Sequence, residues 1–132
     1  MGINAQELND YVIRPALAAL DERSQFAEHY LLKLASKRSS YGEHLVASKQ
    51  SDGLGIYAIS PESHTALWDE YLAFQPDLAS TVRGLASQRA FLEDPHAELA
   101  TNLVYASAVA WLLTQYRKSC EQDSVSEYED IA

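Results

Sequence analysis

Apolar positions recur at helical intervals along most of this chain and change to short alternating runs only near its middle. Leu8, Val12, Leu17 and Leu20 keep near-helical spacing behind Asn4, a suitable N-cap, and Glu7 three residues on completes a capping-box pattern. Pro15 lies inside that pattern without a backbone N–H to donate, so the spacing predicts a break or kink at Arg14–Pro15. Ser24 predicts the cap of a second helix, with Phe26, Tyr30, Leu31, Leu34 and Ala35 on one side, ending before Ser39-Ser40-Tyr41-Gly42.

Between residues 43 and 59 the pattern changes. HLVASK and LGIYAI flank a turn containing Asp52-Gly53, which predicts a small hairpin or an irregular loop. Ser60-Pro61 then gives an N-cap with proline at the first helical position. The helix it opens carries Leu67, Trp68, Tyr71 and Leu72 as far as Gln75-Pro76. Pro76 opens another helix through about Leu85. Asp94-Pro95 repeats the signal before a long last helix, Pro95 to about Lys118, with Leu99, Leu103, Ala106, Ala110 and Leu113 on one face. The sum is a mainly α domain.

Composition narrows the function classes. A length of 132 residues fits one domain with one core, assigned to residues 1–118. Residues 119–132 hold five acidic groups and no basic one, and read as a flexible tail. Without them, 14 acidic residues face 10 basic ones. The formal net charge of -9 argues against nucleic-acid binding, which needs clustered Lys and Arg against phosphates. No apolar run approaches the ~18 residues of a membrane span, and no signal peptide is visible, so a cytoplasmic or virion-associated protein is expected. The single Cys120 rules out an internal disulfide. His29, His44, His64 and His96 show no metal-ligand spacing, and neither a metal nor a cofactor is expected.

One stretch carries more. Gly53-Leu54-Gly55-Ile56-Tyr57 is followed by Pro61 to Leu78 with His64, Trp68, Asp69, Tyr71, Leu72 and Pro76, and later by Asn102-Leu103-Val104-Tyr105-Ala106. These blocks, in this order, resemble short phage- or prophage-encoded proteins of the lysozyme-like superfamily, akin to soluble lytic transglycosylases. The resemblance runs from Tyr11 to Tyr105. It implies a lysozyme-like helical domain and a cleft for peptidoglycan.

In that family the second helix ends in a catalytic glutamate followed by serine and, after two residues, glycine. The matching frame here is Arg38-Ser39-Ser40-Tyr41-Gly42, with Arg38 in the glutamate's place. A family glutamine falls at Ala58, and a further acidic position falls at Ser60. Glycosidic cleavage needs a carboxylic acid to protonate the leaving oxygen, and a guanidinium does not give up its proton. The resemblance with these three replacements therefore implies a pseudoenzyme without catalytic residues. Glu43 is the one weak candidate for residual glycosidase or transglycosylase chemistry. Tyr41, Tyr57, His64 and Tyr105 are candidate groove residues, since sugars stack on aromatic faces. The expected function is binding without cleavage. A protein partner (a virion component, a host factor, or another copy in a homo-oligomer) ranks first, because the overall acidity gives no steering toward peptidoglycan. A non-cleaving peptidoglycan-binding module ranks second.

Overall fold

The computed structural model describes residues 3–39 and 53–131. It is mainly helical, and its described residues contain no strand. In chain order come α1 (Ala5–Leu8), a π-helical turn (Asn9–Ile13) and α2 (Arg14–Ala19), then α3 (Gln25–Ser39). After the gap follow α4 (Pro61–Ala66), a second π turn (Leu67–Tyr71), a 3-10 turn (Leu72–Phe74), α5 (Pro76–Leu85) and α6 (Gln88–Glu93). A 3-10 turn (Pro95–Ala97), α7 (Glu98–Thr101) and α8 (Leu103–Ile131) complete the chain. None of the described helices is long and apolar enough to cross a membrane.

Local chemistry explains most of the starts. Asn4 Oδ1 accepts from the backbone N–H groups of Gln6 and Glu7. Ser24 Oγ accepts from Ala27 N at 3.0 Å, and Ser60 Oγ accepts from Ser63 N at 3.1 Å with Pro61 behind it. The predicted disturbance at Arg14–Pro15 takes the form of the π turn just before it, whose wider loop accommodates a residue that cannot donate. Arg14 also pairs with Glu28 on α3 at 2.5 Å, tying the first helical stretch to the second.

The last helix corrects the sequence reading. It starts at Leu103, not Pro95, because Asn102 is extended at φ -112, ψ 96. Asn102 Oδ1 caps α8 by accepting from Tyr105 N at 3.0 Å, while Nδ2 donates to Leu85 O and Glu98 Oε2. From Tyr105 to Leu113 every residue of α8 is buried, so this is a central core helix rather than one with a single apolar face. Small residues there (Ala106, Ser107, Ala108, Ala110) let Leu17, Leu31, Ile56 and Leu67 join one contiguous core. The backbone of α8 runs on to Ile131, through the acidic segment.

Of the hairpin or loop expected over 43–59, residues 43–52 lie outside the described residues. The rest is a tight turn closed by one antiparallel bridge, Leu54 N to Ile59 O at 2.8 Å and Ile59 N to Leu54 O at 3.0 Å. Gly55 at its corner has φ +77, and a Cβ there would stand 1.8 Å from the carbonyl oxygen of Leu99. The turn is thus pressed flat against α7.

Candidate functional site

Four elements meet around a cleft of about 210 Å³. From α3 come Tyr30, Leu34 and Arg38, spaced four apart and so stacked on one helix face. From α8 come Ala110, Leu113, Thr114 and Arg117, which follow the same geometry. The glycine turn supplies Gly53, Tyr57, Ala58 and Ile59, and the start of α4 supplies Ser60 and Ser63. Arg38, Ala58 and Ser60 are therefore brought together in one cleft although two of them stand 20 or more residues from the first.

The turn is fastened to α3 at this point. Ser39 is buried and its Oγ donates to Ile56 O at 2.6 Å, with a longer contact to Ala35 O at 3.2 Å. That bond holds the exit of α3, and with it Arg38, against the turn. Ala58 has φ +50, a left-handed conformation that strains a residue with a Cβ, and its N–H donates to Gly55 O at 3.1 Å. Ser60 Oγ serves as the cap of α4 and donates to Ser63 Oγ at 3.0 Å, so this hydroxyl is already committed to structure.

Charge in the cleft is of one sign. Among the described residues its lining has two guanidiniums, Arg38 and Arg117, and no carboxylate. Hydroxyls of Ser60, Ser63, Thr114 and Tyr30 add polar groups over a floor of Leu34, Ile59, Ala110 and Leu113. A second depression of about 270 Å³ adjoins it on α3, lined by Tyr30, Lys33, Leu34, Lys37 and Arg38. Neither Arg38 nor Arg117 has an ion pair among the described residues. A carboxylate entering here would meet donors in a fixed fork, without first displacing an internal acid.

The candidate groove residues divide. Tyr57 lines the cleft, but only 2% of its surface is exposed and its hydroxyl is bonded to Ser107 Oγ at 2.7 Å. Since Ser107 donates its own hydrogen to Leu103 O, Tyr57 is the donor in that pair. Burial pushes the Tyr57 phenol well above its usual range. His64 and Tyr105 are not on a groove; both are buried, in a polar chain inside the core. Trp68 Nε1 donates to Tyr105 Oη at 2.9 Å, and Tyr105 Oη lies 2.7 Å from His64 Nε2. On its other side the His64 ring is hydrogen-bonded to His96, Nδ1 to Nδ1 at 2.9 Å. Burial, assisted by His96, lowers the His64 pKa to about 4, and burial pushes Tyr105 up to about 12. This network packs and orients, and none of its four residues lines the cleft. Tyr41 and Glu43 lie outside the described residues.

Arg117 and Thr114 are not among the residues the sequence singles out, and Tyr30 is read there only as part of the apolar side of the second helix. Their signal was weak but present: Tyr30-Leu34-Arg38 and Leu113-Arg117 each place a cation one turn beyond an apolar position, the pattern of a helix edge at a cleft rim. No group of three or more His, Cys, Asp or Glu side chains among the described residues is placed to hold a metal ion. The chain matches no protein-family model, and no curated protein or solved structure shows significant similarity to it.

Proposed function

We propose that this chain is a lysozyme-like phage or prophage protein that has lost its general acid and acts by binding, with a protein as its partner. The observation that carries this reading is the cleft itself: Arg38, Ala58 and Ser60 share it, and none of its described lining residues is a carboxylate. A glycosidase needs a positioned acid whose proton reaches the leaving oxygen. Arg38 cannot supply one, because guanidinium stays charged at any working pH. Ser60 is equally unsuited, its hydroxyl being the cap of α4.

A protein partner is favoured over a glycan strand by the aromatic residues. Sugar stacking wants exposed ring faces, whereas Tyr57 and Tyr105 are buried and hydrogen-bonded within the core. What the cleft offers is an apolar floor beside two cations, a combination suited to a side chain with a short apolar stem and an acidic head. Such a partner would be a virion component or a host factor.

A turbidity assay on purified peptidoglycan tests the loss of catalysis. No clearing by the wild-type protein is the expected result. Clearing that disappears in Glu43→Gln would overturn the proposal and assign the acid to Glu43.

A further inference from the structure

The positive charge of this molecule is concentrated where its overall charge would not suggest. Four of ten basic residues, Lys33, Lys37, Arg38 and Arg117, border the two adjoining depressions, on a chain of formal net charge -9. No acidic residue lines either depression among the described residues. Four of the other described cations have partners of their own: Arg14 pairs with Asp10 and Glu28, Arg89 with Glu93, Arg83 lies over the Phe91 ring, and Lys118 over the Phe26 ring, while Arg23 stands exposed near Glu28. The cleft cations are thus grouped together and available to a ligand.

From this we infer that the cleft between α3, α8 and the glycine turn is a carboxylate-binding site, taking an acidic segment of a partner protein in which an Asp or Glu side chain stands beside an apolar one. The inference rests on the binding reading above and supplies its ligand chemistry. Arg38 and Arg117 would each offer a planar pair of donors to carboxylate oxygens, and Ser63 and Thr114 line the same cleft. Leu34, Leu113 and Ile59 would cover the neighbouring apolar side chain. Lys33 and Lys37 extend the field along α3 and would accelerate encounter with an acidic surface more than they would hold it. The cleft volume of about 210 Å³ suits one or two side chains rather than a run of sugar rings.

The test is fluorescence anisotropy at low salt with a labelled synthetic 14-residue peptide of sequence SCEQDSVSEYEDIA, which interleaves five acids with apolar residues. A second peptide has its Asp and Glu changed to Asn and Gln. Saturable binding of the acidic peptide only, weakened about tenfold or more in Arg38→Ala/Arg117→Ala and less than about twofold in Arg89→Ala, is expected. Circular dichroism of the double variant should match the wild type, as both side chains are exposed. Arg38→Lys/Arg117→Lys should retain part of the affinity, since charge persists while the planar fork is lost. Absence of binding up to millimolar peptide overturns the inference, as does affinity unchanged in the double variant. Tighter binding of uncrosslinked peptidoglycan strands than of the acidic peptide, lost in the same variant, would reassign the cleft to a glycan. Peptidoglycan clearing by the wild type would instead overturn the loss of catalysis and leave the carboxylate site standing.

Discussion

Ser39 donates through its buried hydroxyl to the carbonyl oxygen of Ile56 at 2.6 Å, joining the end of α3 to the glycine turn across 17 residues of sequence. Ser39, which follows Arg38, is therefore a fastener. It fixes the helix end from which residue 38 reaches the cleft, whichever side chain stands there.

Ser39→Ala removes the donor and leaves the Ile56 carbonyl without that partner in a buried setting. The expected loss is about 1–3 kcal/mol of unfolding free energy, read from urea denaturation monitored by far-UV circular dichroism. A change below about 0.3 kcal/mol would show that water or another donor replaces the hydroxyl.

Two glycines provide a sharper contrast. At Gly55 an added Cβ would overlap the Leu99 carbonyl oxygen, and the φ of +77 disfavours any L side chain. Gly55→Ala should cost more than about 3 kcal/mol or prevent folding. Gly84, exposed within α5, has nothing within 4 Å of the same hypothetical atom. Gly84→Ala should raise stability by about 0.5–1 kcal/mol. Melting temperatures of the two variants should move in opposite directions; movement in the same direction would contradict the packing assigned to the turn.

His64 makes stability depend on pH. Its folded pKa of about 4 lies below the usual 6.5, chiefly from burial and then from His96. Between these values the unfolded chain binds a proton that the folded one refuses. Stability is then complete above pH 6.5 and declines as pH falls toward 4. From pH 7 to pH 5 the loss attributable to this residue is about 2 kcal/mol. His64→Asn will itself destabilise by disturbing Tyr105 and His96, so the readout is the slope of unfolding free energy against pH, which should flatten over this window. An unchanged slope would place the acid sensitivity elsewhere.

How much of this was legible beforehand depends on how local each feature is. Asn4, Ser24, Ser60-Pro61 and the Pro76–Leu85 helix were readable because a cap or a proline acts within one turn of its own position. Asn102 was not: it sits in an apolar run, and its capping role depends on being pinned to Leu85 and Glu98 from elsewhere. The π turns at Asn9–Ile13 and Leu67–Tyr71 left no sequence mark beyond Pro15 near the first. For the cleft, residue patterns alone did not assemble Arg38, Ala58 and Ser60; the family resemblance named them as a set. Arg117 was missed because nothing in a helix edge says which neighbour faces it. Tyr105 and His64 were read toward a groove because an aromatic or a histidine carries no label for core or rim, and here the core had donors enough to satisfy both.

The central claim is that the protein holds its ligand without cutting glycan strands, and product analysis tests it most directly. Purified peptidoglycan is incubated with an equimolar amount of protein, and the soluble fraction is examined by mass spectrometry for muropeptides with new reducing or 1,6-anhydro ends. The account predicts none above a protein-free control. Either product, formed by the wild type and absent with Glu43→Gln, would contradict it.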